Sequence, residues 1–238
     1  MVPGKSSFEY VRKYGAAAED IFTAPNAVDT DLFARRASEV RSDSSTFRQA
    51  LHLPPRFFLF VGRLVAEKGV FDLLEAYGKL SAELRQLIGL VFVGEGEVRS
   101  ELERRSKDIV PGQVLCQGFA QREELAAYYA LSEALVFPTQ TDPWGLVVNE
   151  AMACGLPVIT TTAAGCTADL VENSWNGRVI RSGDVGELAS AMEDLGRDPV
   201  TRSQMGNHSS ERILRYSPKA CADGIANAAL SWGTGSNV

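Results

Sequence analysis

Phe57-Phe58-Leu59-Phe60-Val61-Gly62-Arg63-Leu64-Val65-Ala66-Glu67-Lys68-Gly69 reads as a buried strand that ends in a glycine and carries two cations toward the start of a helix. Five consecutive apolar residues without polar alternation suit a strand covered on both faces. Similar runs follow at Leu90–Gly94, Val114–Gly118, Ala134–Pro138 and Leu156–Thr160. Between them, Val70–Leu80, Val98–Lys107 and Glu123–Leu131 space their apolar residues three to four apart, the pattern of an amphipathic helix. This alternation predicts an α/β domain with a Rossmann-like, doubly wound parallel sheet. Ligands of such sheets bind beyond the carboxyl ends of the strands, so the loops after Gly62, Gly94, Gly118 and Pro138 are the expected site.

Composition agrees with one large globular core: 238 residues, 45% apolar and 23% charged. A net charge of −6 excludes nucleic-acid binding as the main task, because a phosphate backbone needs a basic face. No apolar run reaches the roughly 18 residues that span a bilayer, and the N-terminus lacks a signal-peptide core. The expected location is the cytoplasm, free or held peripherally at the inner membrane surface. Four cysteines form no C-x-x-C pair and lie far from the two histidines, which predicts reduced thiols and no metal site.

Residues 1–25 read as the remnant of a preceding domain and its connection, with a short helix at Phe8–Tyr14 and a short strand at Ile21–Ala24. Residues 26–216 read as the ligand-binding domain, with Ala34–Ser45 a solvated connection before the first core strand. Residues 217–238 read as a final helix opened by Pro218 and a Gly/Ser/Asn tail expected to fray.

The site itself is legible in two segments. After Gly62, the start of a helix offers unpaired N–H groups, Arg63 a planar fork and Lys68 a mobile charge, together an arrangement for a diphosphate. The second segment runs Pro138-Thr139-Gln140-Thr141-Asp142-Pro143-Trp144-Gly145-Leu146-Val147-Val148-Asn149-Glu150. A strand ends at Pro138, Gly145 permits close approach of the backbone, a helix begins near Leu146, and Glu150 sits one turn into it. Carboxylates at Asp142 and Glu150 accept hydrogen bonds from hydroxyls. A ligand anionic in the middle and hydroxyl-rich at both ends, such as a nucleoside diphosphate-sugar, would use amides, cations and carboxylates together. The bland alternative makes Arg63 and Lys68 solvated charges, Asp142 a cap and Glu150 a favourable charge near a helix start.

From about Ser7 to Asp184 the chain resembles the retaining glycosyltransferases of family 4, which have the two-domain GT-B fold. The resemblance rests on Pro25-Asn26-Ala27-Val28-Asp29 with Phe33, on Gly62-Arg63 with Glu67-Lys68-Gly69, and on Val93-Gly94-Glu95-Gly96. It continues through Gly118-Phe119, the acidic-x7-Glu motif from Asp142 to Glu150, and Glu150-Ala151-Met152-Ala153-Cys154-Gly155-Leu156-Pro157-Val158. It implies that this chain is the C-terminal, donor-binding half of such an enzyme. Arg63 and Lys68 would bind the donor diphosphate and replace an obligatory metal, Glu150 would hold the ribose, and Asp142 would contact the transferred sugar. Gly62 and the amides of Gly145, Leu146 and Val147 would assist the phosphates, while Gly94, Gly118 and Phe119 would border the base. Catalysis would come from Arg63, Lys68 and Asp142, the cations stabilising charge that grows on the leaving diphosphate. The acceptor, a glycan or lipid-linked glycan among the candidates, would fall to an N-terminal domain, and no cofactor is implied.

Three departures stand out. Asp142 replaces the usual glutamate and is one methylene shorter. Gly165-Cys166-Thr167-Ala168-Asp169 stands where the family often has paired glycines and a glutamate. Asp29-Thr30-Asp31 spells the D-x-D metal signature of the other major glycosyltransferase fold, but beside Asn26 and Phe33 it reads as a turn or helix cap. Two further readings stay open: a nucleotide-sugar-binding module without catalysis, and an α/β scaffold that has lost its function.

Overall fold

In a computed structural model, which describes residues 1–234, six strands form one parallel sheet. They are β1 (Phe57–Val61), β2 (Gly89–Val93), β3 (Val114–Gln117), β4 (Ala134–Phe137), β5 (Val158–Thr161) and β6 (Gly177–Ile180). Their order is β3-β2-β1-β4-β5-β6, so the chain reverses direction across the sheet between β1 and β4. That reversal opens a crevice at the carboxyl ends of those two strands. The four central strands are buried, as continuous apolar runs require, while β3 and the centre of β6 are only half-buried at the edges. The sequence reading missed β6, where Arg178 interrupts the apolar run.

Twelve α-helices accompany the sheet among the described residues. The first six are α1 (Lys5–Lys13), α2 (Thr30–Ser42), α3 (Ser44–Ala50), α4 (Val70–Lys79), α5 (Ala82–Leu87) and α6 (Arg99–Ser106). The rest are α7 (Arg122–Leu131), α8 (Leu146–Ala153), α9 (Thr167–Leu170), α10 (Val185–Arg197), α11 (Pro199–Ile213) and α12 (Pro218–Thr234). Helix α4 packs with α5's neighbour α10 and with α6, whereas α2, α7, α8 and α11 pack among themselves, covering the two faces of the sheet.

The solvated connection expected at Ala34–Ser45 is instead most of α2 and the start of α3. Phe33, Ala37 and Val40 lie four and three apart and are all buried, a narrow stripe masked by Arg35, Arg36, Glu39 and Arg41. Asp29 accepts from the Leu32 N–H at 2.9 Å, the helix-capping role that its context suggested. Arg41 donates to the carbonyls of Ala130 (3.2 Å) and Cys154 (2.6 Å), bracing the C-terminal ends of α7 and α8 against each other.

The first 25 residues also find partners on this domain. Val2 bridges Thr23 in parallel, and the N–H of Lys5 at the start of α1 donates to both carboxylate oxygens of Asp169 at 3.1 and 3.0 Å. Helix α12 docks on the same segment, Gly224 lying so close to the Thr23 carbonyl that a Cβ would stand 2.1 Å from it. The final helix runs to Thr234, so the tail expected to fray after about Trp232 begins as helix at Gly233 and Thr234, and its residues 235–238 lie outside the described residues. No helix among the described residues is long and apolar enough to cross a membrane.

Candidate functional site

The loops after β1 and β4 are tied together by their backbones. The Gln140 N–H donates to the Glu67 carbonyl at 2.8 Å, and the Thr139 hydroxyl reaches the same oxygen at 3.2 Å. Gly69 opens α4 in the left-handed region, φ 70°, and a Cβ there would stand 2.1 Å from the Pro138 carbonyl. Only glycine meets both requirements. This contact brings Lys68, at the end of a short 3-10 turn (Ala66–Lys68), against the β4 loop.

There Lys68 Nζ donates to Asp142 Oδ2 at 2.8 Å and to the Thr141 carbonyl at 3.0 Å. Both side chains are largely shielded, 12% and 17% exposed, so this is not an ordinary surface pair. Asp142 Oδ1 accepts from the Trp144 N–H at 2.9 Å, which fixes the turn leading into α8. Gly145, φ 95°, is the N-cap of α8 and supplies no capping side chain, leaving the first-turn amides without that partner. Arg63 is exposed, its carbonyl accepts from the Val65 N–H at 3.0 Å, and its guanidinium has no hydrogen bond or ion pair among the described residues.

Beyond the ends of β1 and β2 lies a cavity of about 330 Å³, walled by Gly62, Arg63, Gly94, Phe119, Ala120 and Leu125. Phe119 is 71% exposed, an aromatic face open at the cavity's edge, and the Gly118 carbonyl accepts from the Gly94 N–H at 3.1 Å. A second cavity, of about 680 Å³, is bounded by residues 24–29, Arg122, Leu146, Glu150 and the start of α12. Glu150 Oε2 accepts from the Tyr129 hydroxyl at 2.8 Å. Burial pushes the Glu150 carboxyl above the usual carboxylate range, against the Tyr129 hydrogen bond and the Arg122 charge, which favour ionisation.

The residues singled out from sequence therefore gather at the carboxyl edge of the sheet in three groups. Gly62, Arg63, Gly94, Gly118 and Phe119 form one, Lys68 and Asp142 a second, and Leu146 and Glu150 a third, with Gly145 and Val147 on the segment joining the last two. Sequence reasoning did not nominate Arg122, Tyr129 or Asn149. Asn149 is fully buried, accepts from Trp144 Nε1 at 2.9 Å and donates to the Asn26 carbonyl at 3.0 Å, fastening the connection to α8. A buried tyrosine or asparagine needs a polar partner, which is a signal in principle, but the sequence does not say which partner.

Asp169 is 4% exposed, and its oxygens are taken by the Lys5 N–H and the Tyr216 hydroxyl, so it secures α1. His52 is exposed. His208 is half-buried, stacked on Trp175 with ring centroids 4.6 Å apart.

A parallel sheet of this order, with two cations and a helix start near its reversal point, defines a Rossmann-like α/β domain of the kind that forms the C-terminal half of GT-B glycosyltransferases. The model of the glycosyl transferases group 1 matches residues 43–212, and the chain belongs to that family. It is similar to the α-D-kanosaminyltransferase of Streptomyces kanamyceticus, 30% identical over 92% of this chain and 53% of that protein. A sulfoquinovosyl transferase of Arabidopsis thaliana is 28% identical over 90% of this chain and 41% of its own length. Among solved structures, sucrose-phosphate synthase from Thermosynechococcus elongatus superposes with a TM-score of 0.78 at 25% identity, covering 99% of this chain and 58% of that one. Anabaena HepE, solved with UDP and glucose, has a TM-score of 0.76 at 21% identity, covering 97% and 62%. The chain spans about half the length of the curated relatives it matches.

Proposed function

We propose that this chain is the donor-binding part of a retaining glycosyltransferase of family 4, which moves a sugar from a nucleoside diphosphate-sugar to a hydroxyl acceptor without an obligatory metal. The observation that carries this reading is the junction of the β1 and β4 loops. Lys68 sits beside Asp142, and the uncapped start of α8 follows in the same loop, at the reversal point of the sheet.

In this reading the diphosphate lies across Arg63, Lys68 and the amides of Gly145, Leu146 and Val147. The base enters the cavity beside Gly94, Gly118 and Phe119, and Glu150 accepts from the ribose hydroxyls. Lys68 leaves Asp142 for the diphosphate, which frees Asp142 to accept from hydroxyls of the transferred sugar. When the bond between the anomeric carbon and the phosphate oxygen breaks, its electron pair goes to the diphosphate, while the acceptor's hydroxyl oxygen bonds to that carbon and its proton passes to the released diphosphate. Charge grows where the cations and amides already point, so they stabilise the transition state more than the ground state.

The test is thermal stabilisation of the purified chain by UDP, GDP and ADP, alongside an Arg63→Ala, Lys68→Ala double variant. Ligand present at one hundred times its dissociation constant should add about 2.7 kcal/mol of stability. Stabilisation by one nucleotide, lost in the double variant, is the expected result. Equal stabilisation of both proteins would move the diphosphate away from these cations.

A further inference from the structure

Glu150 has two carboxylate oxygens in unlike surroundings. Oε2 is held by the Tyr129 hydroxyl, and this is the single hydrogen bond of that hydroxyl among the described residues. Oε1 has no hydrogen-bond partner there and is not among the buried unpaired atoms, so it keeps contact with solvent, and Glu150 lines the cavity bounded by residues 24–29 and Arg122.

Tyr129 is fully enclosed, with its ring edge-on to Phe33 at a centroid distance of 6.1 Å. The two helices that carry the pair are also joined independently, because Arg41 binds the Ala130 carbonyl next to Tyr129 and the Cys154 carbonyl at the end of the Glu150 helix. The phenol therefore presents its hydroxyl from a fixed point. A glutamate on a helix surface samples several rotamers, and fixing it before the ligand arrives lowers the entropy lost on binding.

We propose that Tyr129 is a positioning residue for the donor's ribose: by holding Oε2 of Glu150 it leaves Oε1 directed to the cavity, where it accepts from the ribose hydroxyls. This rests on the assignment of the ribose to Glu150 and adds the residue that sets the geometry of that contact. Recognition of the two ribose hydroxyls, as opposed to the diphosphate, then depends on a side chain that never touches the ligand.

The experiment compares binding of the nucleoside diphosphate that most stabilises the chain with binding of its 2′,3′-dideoxy analogue. The proteins are the parent, Tyr129→Phe, Glu150→Gln and the double variant. The expected result is that Tyr129→Phe lowers the preference for the ribose form about tenfold, the scale of a hydrogen bond to a charged group, while affinity for the dideoxy form is kept. In the Glu150→Gln background the same change should alter the preference no further. The pH midpoint of the preference should also rise in Tyr129→Phe, because the hydroxyl that favours the ionised carboxylate is gone.

Equal weakening of both nucleotides would reduce Tyr129 to a structural group and overturn the inference. If Glu150→Gln abolishes the preference and Tyr129→Phe does not, the inference falls and the ribose assignment stands. If the parent does not discriminate, both fall. Should Tyr129→Phe fail to fold, 3-fluorotyrosine at position 129 keeps the shape and makes a more acidic donor. It should lower the pH midpoint, and an unmoved midpoint refutes the proposal.

Discussion

Changing Asp142 to asparagine should tighten binding of a nucleoside diphosphate while slowing sugar transfer. In the ligand-free chain, Asp142 Oδ2 lies 2.8 Å from Lys68 Nζ, with both side chains more than four-fifths shielded. A diphosphate that recruits Lys68 must first draw it from this carboxylate. A hydrogen bond to a charged group contributes about 1.5–3 kcal/mol, and the residual exposure here favours the lower end. Asparagine can still accept from the Trp144 N–H, so the turn is kept, but it turns an amide nitrogen toward Lys68. The free chain should lose about 1.5 kcal/mol of folding stability, while the bound chain, in which the phosphates replace the carboxylate, should not. Affinity for the diphosphate should therefore rise about tenfold, which calorimetric titration measures directly. Removing a negative charge near the phosphates acts in the same direction, so the titration is repeated in a Lys68→Ala background, where only that smaller electrostatic part should remain. Unchanged or weaker binding by Asp142→Asn would show that Lys68 does not leave Asp142 for the ligand.

Two further outcomes follow from the same geometry. Burial raises the Glu150 carboxyl, so the folded chain holds that proton more tightly than the unfolded chain, and the stability it contributes is lost as pH rises through the folded value. Glu150→Gln should therefore melt higher than the parent near neutral pH, with the advantage vanishing below about pH 4 in melts across a pH series. Asp169→Ala removes the acceptor at the start of α1 and should cost about 1 kcal/mol, as the loss of a helix cap does. Limited trypsin digestion should then cut faster after Lys5, Arg12 and Lys13 while nucleotide affinity is retained; a fall in affinity would show that Asp169 does more than hold α1.

The strand that ends at Gly62, the one that ends at Pro138, the helix starting at Leu146 and the parallel α/β class were all readable from the sequence. Each is set by local apolar periodicity and by a glycine or proline at its end. Helix α2 was not, because its buried stripe of Phe33, Ala37 and Val40 is narrow and sits among arginines whose destination is remote: Arg41 caps helices that end at Leu131 and Ala153. Nor were the contacts that define the site. Lys68 meets Asp142 across 74 positions because β1 and β4 are neighbours where the sheet reverses, and Tyr129 meets Glu150 across 21 because α7 leads into β4, α8 leaves it, and the two helices pack together. Periodicity tells a residue which face of its own element it occupies. Which element stands opposite depends on strand order, and strand order is settled by the packing of the whole sheet.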